Sequence, residues 1–205
     1  MDSSEVRRSW AERSGEYSPA YYAYYGPDER SRAVRDALVR HVGRDASVLE
    51  VGCSSGRHLA HLHDHGFADL AGIEVNADAV EVMTETYPDL AAAAAVYHDA
   101  VEDVIGGFAD DRFDAVYSVE TLQHLHPDAA WVFAELARVA GELVVTVENE
   151  GDGDCRRSDG ADVHYVSEDL PLYHRDWHRV FTDLGLAEVE ASDGDRTTLR
   201  AFRPR

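Results

Sequence analysis

The sequence has no lysine, so its basic side chains, the histidines aside, are all arginine. Its 40 acidic side chains outnumber the 19 basic ones, and the 205 residues carry a formal net charge of −21. A field of this sign repels the phosphates of nucleic acid. We therefore expect a partner other than nucleic acid.

An acidic surface without lysine is also typical of proteins from salt-loving archaea. Solvated carboxylates keep such proteins dissolved in concentrated salt, and the salt screens the repulsion among them. The composition therefore predicts a halophilic protein of haloarchaeal type. It does not indicate which ligand the protein binds.

Cysteine is scarce as well, because the chain has only Cys53 and Cys155. Two cysteines this far apart provide neither a disulfide framework nor the paired spacing of a metal site. We predict that both are free thiols.

Long apolar runs are absent too. No run approaches the ~18 residues that span a bilayer, and the first residues lack the apolar core of a signal peptide. We expect a soluble, cytoplasmic protein without a membrane partner. The 44% hydrophobic content suits a single domain over residues 1–205, with an N-terminal cap segment at 1–26 and a mobile loop at 149–166.

The stretch from Ser47 to Leu62 is the most informative in the chain, because it changes character twice. A short apolar run ends at Val51 and is typical of a strand buried in a parallel sheet. Small residues from Gly52 to Gly56 then allow unusual backbone dihedrals and a close approach of a ligand. Leucines at helical spacing follow, so the positive end of a helix dipole points at the turn. The stretch predicts a nucleotide-type binding element.

Strands and helices alternate along the rest of the chain, which predicts a doubly wound α/β sheet with its ligand at the carboxyl ends of the strands. Helices are predicted from Pro27 to Gly43, from the glycine turn to Gly66, from Asn76 to Tyr87, from Asp128 to Gly141 with Trp131 on its apolar side, and from Trp177 to Gly185. The predicted strands are Val48–Val51, Leu70–Val75, Ala93–Tyr97, Phe113–Val119, Leu143–Val147, and a terminal hairpin of Ala187–Val189 and Thr197–Phe202.

Glu74 lies 22 residues after Gly52, at the end of the second predicted strand. An acid about 20 residues after the glycine turn binds ribose hydroxyls in dinucleotide-type folds. A carboxylate can accept hydrogen bonds from two neighbouring hydroxyls. The spacing therefore favours a nucleoside ligand, although a lone acid in so acidic a chain is also compatible with simple solvation.

These residues resemble a known family. The segment Glu50 to Gly56, with Glu74, Asp99 and the stretch 113–124, is similar to the successive motifs of class I S-adenosylmethionine-dependent methyltransferases. The resemblance covers roughly residues 28–202, and Ser54 stands where the first motif usually has its middle glycine. It implies a Rossmann-like doubly wound sheet of seven strands, mostly parallel, with a C-terminal antiparallel hairpin.

The resemblance also implies S-adenosyl-L-methionine as the cofactor. Gly52, Cys53 and Gly56 are expected at its methionine end, Glu74 at the ribose hydroxyls, and Asp99 with Ala100 at the adenine edge. The implied cofactor-binding residues are Glu50, Gly52, Cys53, Ser54, Gly56, Glu74, Val75, Asp99, Ala100, Val119 and Glu120.

Methyl transfer from a sulfonium depends mainly on alignment of the nucleophile, the methyl group and the sulfur. If a base is needed, His124 is the candidate, because imidazole has a suitable pKa and follows the fourth strand. Packing or capping is the alternative role for His124. We expect a small-molecule methyl acceptor.

Arg156 and Arg157 suggest an anionic or aromatic acceptor, although two solvated loop arginines are the favoured interpretation. The tyrosine-rich segment from Trp10 to Tyr25 either packs as a cap or forms a wall of the ligand pocket.

Other activities stay open on the sequence alone. A nucleic-acid or protein methyltransferase would need a basic patch, for which eight arginines in residues 1–44 and eight in residues 156–205 are available. A nicotinamide oxidoreductase or a non-catalytic nucleoside-binding module is the other alternative. His61 and His65 stand four apart on one helical face, but no third ligand is evident and we predict no metal site. The oligomeric state is not readable.

Overall fold

The computed structural model describes residues 1–151, 162–167 and 170–205. Seven strands of these ranges form one sheet and two more form a separate antiparallel pair. The seven are β1 (Val48–Val51), β2 (Leu70–Glu74), β3 (Ala95–His98), β4 (Phe113–Val119), β5 (Ala140–Glu148), β8 (Ala187–Asp193) and β9 (Thr198–Arg203); the pair is β6 (Asp162–Ser167) and β7 (Leu170–His174).

The large sheet has the order β3-β2-β1-β4-β5-β9-β8. Strands β1 to β5 pair in parallel, while β9 runs antiparallel to both β5 and β8. The predicted seven-stranded, mostly parallel sheet with an antiparallel C-terminal hairpin is confirmed. Because parallel strands share one carboxyl edge, this topology brings the ends of β1, β2, β3 and β4 together.

Helices cover both faces of the sheet. They are α1 (Ser3–Ala11), α2 (Pro19–Tyr25), α3 (Glu29–His41), α4 (Arg57–Asp64), α5 (Ala77–Thr86), α6 (Pro88–Ala93), α7 (Val101–Val104), α8 (Trp131–Val139) and α9 (Trp177–Asp183). Neighbouring side chains of β1 point to opposite layers, Val48 into a core with Leu38 and Leu59, and Leu49 into a core with Phe133 and Trp177. Within the described ranges, no helix has the length and apolarity needed to cross a bilayer.

Several predicted boundaries were wrong for local reasons. Helix α3 begins at Glu29 rather than at Pro27, because the side chain of Asp28 accepts hydrogen bonds from the first turn and caps it. Pro88 starts the short helix α6, where a missing N–H costs nothing, so β3 begins at Ala95 rather than Ala93. The capping role of Asn76 in α5 is confirmed.

Two further predictions around α8 need correction. Trp131 is 48% exposed, because the buried face of this helix is formed by Val132, Phe133, Leu136 and Val139. Strand β5 starts at Ala140, directly after the helix, and is therefore longer than predicted.

Strand β6 occupies part of the segment that was predicted as a loop over residues 149–166. Residues 152–161 lie outside the described chain, and with them Cys155, Arg156 and Arg157. Residues 162–167 pair with β7, starting from Asp162 opposite His174. The preceding run of glycine and aspartate obscured the β-favouring residues Val163 and Tyr165 in the sequence.

Candidate active site

The turn after β1 has a left-handed backbone at three residues, with φ angles of 72° at Gly52, 48° at Ser54 and 79° at Gly56. A Cβ atom on Gly52 would lie 2.2 Å from Oγ1 of Thr121, so only glycine fits there. Ser54 holds its conformation despite its side chain, which costs conformational energy. This turn carries the main chain to the carboxyl edge of the sheet.

Glu74 ends β2 beside this turn and is 8% exposed. Its Oε2 accepts a hydrogen bond of 2.7 Å from the Ser54 N–H, and its Oε1 accepts one of 2.8 Å from the Asn76 N–H. Burial raises the pKa of this carboxyl, while the backbone donors act in the opposite direction. Each oxygen keeps a further lone pair, so the carboxylate can still accept from a ligand.

A cavity opens above these residues and encloses about 1100 Å³, its open mouth included. The predicted residues that line it are Gly52, Cys53, Ser54, Glu74, Val75, Asp99, Ala100, Val119, Glu120 and His124. The structure thus brings ten sequence-predicted residues, which come from the ends of four strands, to one space.

Glu50 and Gly56 lie behind the cavity wall instead of lining it. Glu50 is fully buried, and its Oε2 accepts a 2.9 Å hydrogen bond from the Tyr117 hydroxyl. Burial raises the pKa of Glu50 well above its usual value. A Cβ atom on Gly56 would lie 2.8 Å from Cε of Met83, so this glycine allows the packing of α4 against α5. Both residues support the turn from the side that faces away from the cavity.

The tyrosine-rich N-terminal segment forms part of the cavity wall. Trp10, Tyr17 and Tyr22 line the cavity. The Asn76 side-chain amide donates to the carbonyl oxygens of Trp10 and Arg13, at 3.2 and 3.3 Å. Asn76, two residues after Glu74, therefore fixes the end of α1 and the residues just after it beside the cavity.

His124 lies in a short 3₁₀ turn after β4 and is 8% exposed. Its Nδ1 is 2.8 Å from the carbonyl oxygen of Pro171, and its Nε2 is 3.2 Å from Nε2 of Gln123. Because the Gln123 Oε1 accepts from the Asn149 N–H, the Gln123 amide nitrogen must face the histidine and donate to it. His124 therefore carries its proton on Nδ1, and the lone pair on its Nε2 accepts from the side-chain amide of Gln123.

Burial lowers the pKa of His124 to about 4. The ring is neutral near pH 7, as a base must be, but it needs to exchange the Gln123 hydrogen bond for one from the acceptor. Its ring centroid lies 4.6 Å from that of Trp10. His124 thus also contributes an aromatic surface to the cavity.

Glu148 was missed in the sequence, although it organises this turn. The fully buried carboxylate accepts from the backbone N–H groups of Thr121, Leu122 and Gln123 at 3.1 to 3.2 Å, and from the Ser118 hydroxyl at 2.6 Å. Burial raises its pKa to about 7. An acid at the end of an apolar strand is the signal that could have found it, as it did for Glu50.

Arg57 and His58 were also missed, because α4 was interpreted as a helix with a solvated histidine face. Both line the cavity, and Arg57 is 8% exposed. The Arg57 guanidinium lies 3.4 Å from Asp28 and 4.8 Å from the centre of the Tyr22 ring. The sequence could have indicated both residues, because they occupy the first helical turn after Gly56 and that turn faces the ligand side.

His61 and His65 lie outside the cavity, with ring centroids 4.2 Å apart. The described ranges hold no group of three or more histidine, cysteine, aspartate or glutamate side chains that could bind a metal ion. Cys53 is a buried free thiol.

With this geometry in view, residues 48–142 match the profile of a family described as a methyltransferase domain. These residues are thus similar to a methyltransferase domain. They run from the start of β1 to the beginning of β5, so the match contains the glycine turn, Glu74, Asp99 and the turn of His124.

Proteins similar to this chain include a dTDP-3-amino-3,6-dideoxy-alpha-D-glucopyranose N,N-dimethyltransferase of Streptomyces fradiae. It is 34% identical over 156 residues, which are 71% of this chain and 58% of the relative. An O-methyltransferase of Penicillium expansum is 29% identical over 143 residues, 66% of this chain and 51% of the relative. The chain thus spans little more than half the length of these relatives.

Among solved structures, the fold is similar to 1,6-didemethyltoxoflavin-N1-methyltransferase of Burkholderia thailandensis, solved with 1,6-didemethyltoxoflavin and S-adenosylhomocysteine. The TM-score is 0.71 at 15% identity, with 98% of this chain and 88% of that chain covered. At this identity, the likeness concerns the fold.

Proposed function

We propose that the protein is an S-adenosylmethionine-dependent methyltransferase that methylates a small molecule. One observation carries the proposal. The Glu74 carboxylate, the strained turn from Gly52 to Ser54 and Asp99 line one cavity at the point where the ends of β1, β2 and β3 meet. The methyltransferase domain match and the small-molecule methyltransferases among its relatives support the same reaction.

The residues present fit this cofactor. Glu74 has lone pairs left for two ribose hydroxyls, and Gly52 keeps the main chain free of a side chain where the methionine end would lie. Among the arginine and acidic side chains that line the cavity, four carboxylates outnumber three guanidinium groups, which favours a cationic ligand. When bound, the cofactor supplies a methyl group activated on a sulfonium.

The protein groups have separate roles in this proposal. Glu74 binds the ribose, and Asp99 with Ala100 contacts the adenine. The lid from Trp10 to Tyr22 excludes water above them. His124 remains the predicted base, and it takes a proton on Nε2 after its Gln123 hydrogen bond is exchanged.

The proposal also includes the cellular location and the salt adaptation of the protein. We infer a cytoplasmic, halophilic protein from the charge of −21, the absence of lysine and the two scattered cysteines. A net negative cavity suits a cofactor without phosphates better than it suits NAD.

Calorimetry with S-adenosylhomocysteine and with NAD tests the proposal. We expect S-adenosylhomocysteine to bind and NAD not to bind. Glu74→Gln is expected to weaken binding roughly 10- to 100-fold, the value of one or two hydrogen bonds to a charged group. Asp69→Asn, at the other end of β2 and exposed, is the matched control and should bind like the unchanged protein.

Methyl transfer is then followed by mass spectrometry, with labelled S-adenosylmethionine and a metabolite extract. A labelled small molecule is the expected product. Tight NAD binding without S-adenosylhomocysteine binding would overturn the proposal in favour of an oxidoreductase, and a labelled nucleic acid or protein would move it to a macromolecular acceptor.

A further inference from the structure

The part of the cavity away from Glu74 has aromatic walls. Trp10 and His124 form one wall, with ring centroids 4.6 Å apart, and Tyr17 and Tyr22 also line the space. Rings of this kind bind a flat ring by stacking or by edge-to-face contact. The cavity therefore offers a planar ligand more contact than an aliphatic one.

Two of the three guanidinium groups that line the cavity, those of Arg7 and Arg57, have carboxylate partners. Arg57 lies 3.4 Å from Asp28, and Arg7 forms an ion pair with Asp103. Arg30, just behind the wall, pairs with both Asp28 and Glu120. An anionic ligand would have to displace one of these carboxylates and meet its repulsion.

Two of the three histidines that line the cavity, His58 and His124, do not add positive charge. Burial, and secondly the charge of Arg57, lower the pKa of His58 to about 3, and burial lowers that of His124 to about 4. Both rings are neutral near pH 7, so they can exchange hydrogen bonds with a hydroxyl or amino group. They cannot attract a carboxylate or phosphate by charge.

We propose that the methyl acceptor is a flat aromatic molecule without negative charge, bound against the rings of Trp10 and His124. The inference rests on the proposed function, since it concerns the second substrate of the same cavity. It differs from the sequence-based suggestion that Arg156 and Arg157 hold an anionic acceptor. Tyr22 and His58 line the same cavity, and we assign to His58 a hydrogen bond to this acceptor.

Four probes distinguish the effect of an aromatic ring on binding from the effect of charge. They are catechol, dopamine, protocatechuate and cyclohexanediol. Catechol is the neutral aromatic, dopamine adds a cation, protocatechuate adds a carboxylate, and cyclohexanediol keeps two hydroxyls without an aromatic ring. Calorimetry is done on the full chain saturated with S-adenosylhomocysteine. Catechol and dopamine are expected to bind roughly tenfold or more tightly than either other probe.

Three variants at two tryptophans test the site and supply its control. Trp10→Ala is expected to weaken catechol binding roughly tenfold, and Trp10→Phe should restore most of it, because a ring returns. Trp131→Ala, on the 48% exposed side chain of α8, should leave catechol binding unchanged. Affinity for S-adenosylhomocysteine is measured on every variant, so that loss of the cofactor is not mistaken for loss of the acceptor.

The inference is overturned by stronger binding of protocatechuate, by equal binding of cyclohexanediol and catechol, or by Trp10→Ala binding catechol as before. Failure of all four probes to bind the S-adenosylhomocysteine complex also counts against it. If S-adenosylhomocysteine itself does not bind, the proposed function fails, and that result is distinct.

Discussion

Ser54 shows how a single residue can hold a binding turn at a cost. Its backbone has a φ of 48° where the related motif usually has glycine, and its side chain makes no hydrogen bond within the described chain. A left-handed conformation costs a non-glycine residue roughly 1–2 kcal/mol. The Ser54 N–H nevertheless donates to Glu74, so the strained turn is coupled to the acid on β2.

We expect Ser54→Gly to raise the free energy of unfolding by about 1 kcal/mol, because the relief of backbone strain exceeds the entropy cost of glycine. Urea unfolding measures this change. Ser54→Ala keeps the Cβ atom and should have little effect. Destabilisation by glycine, or equal effects of both variants, would contradict the strain argument.

His124 links stability to pH. Its pKa is about 4 in the folded chain against an ordinary 6.5, so the unfolded chain binds the proton more tightly. The stabilisation is fully present above pH 6.5 and is lost as the pH falls toward 4. Between pH 6.5 and about 4.5, this one group should account for about 2 kcal/mol.

The prediction is that His124→Gln makes the free energy of unfolding less sensitive to pH by about that amount. Urea unfolding at the two pH values measures the slope, whatever the change in absolute stability. An unchanged slope in His124→Gln would mean that the ring is not buried and neutral.

At the scale of elements, the lid of α1 and α2 is held by Asn76, which also caps α5. The side-chain oxygen of Asn76 accepts from the Asp78 N–H, while its amide group donates to the carbonyls of Trp10 and Arg13. Asn76→Asp keeps the cap and removes the two donors. The variant therefore removes the side-chain contact to Trp10 and Arg13 while it keeps the N-cap of α5.

We expect Asn76→Asp to speed up protease cleavage within residues 1–26 and to raise the dissociation rate of S-adenosylhomocysteine, because an unlatched lid opens more often. Limited proteolysis and stopped-flow measurements test this. Asp2→Asn, which keeps the capping of α1 at the far end of the lid, is the control. Equal cleavage rates in all three proteins would contradict a latch at Asn76.

The strand pair β6 and β7 also acts on the site as an element. The Pro171 carbonyl of β7 accepts from His124, and the nearby Arg175 donates to the carbonyls of Leu122 and Leu125. Burial lowers the pKa of Arg175 to about 10, so the group stays charged near pH 7. The strand pair β6 and β7, which was not predicted, thus supports the turn that carries His124.

At the scale of the whole molecule, the charge of −21 should make stability depend on salt. Repulsion among carboxylates destabilises the folded chain at low ionic strength, and the Debye length falls from about 14 Å at about 0.05 M to about 4 Å at about 0.5 M salt. We expect the midpoint of thermal unfolding to rise over this range of potassium chloride. Sucrose of equal osmolality, which does not screen charge, should raise it less.

The local parts of this protein followed from its sequence. The strand from Val48 to Val51, the turn to Gly56 and the acid at Glu74 were predicted correctly, because apolar runs, small residues and spacing act over short distances. The strand from Phe113 to Val119 was confirmed with both of its ends. Fold class followed as well, since alternation of strands and helices leaves few topologies.

Only the tertiary structure decided which side chains share the cavity. Trp10 meets His124 across 114 residues, Arg57 meets Asp28 and Tyr22, and Glu148 gathers the N–H groups of the 3₁₀ turn after β4. The state of His124 depends on Gln123, Asn149 and Pro171, of which only the first is its neighbour in sequence. Such contacts leave no periodic signal, because they arise where separate elements pack at the edge of the sheet.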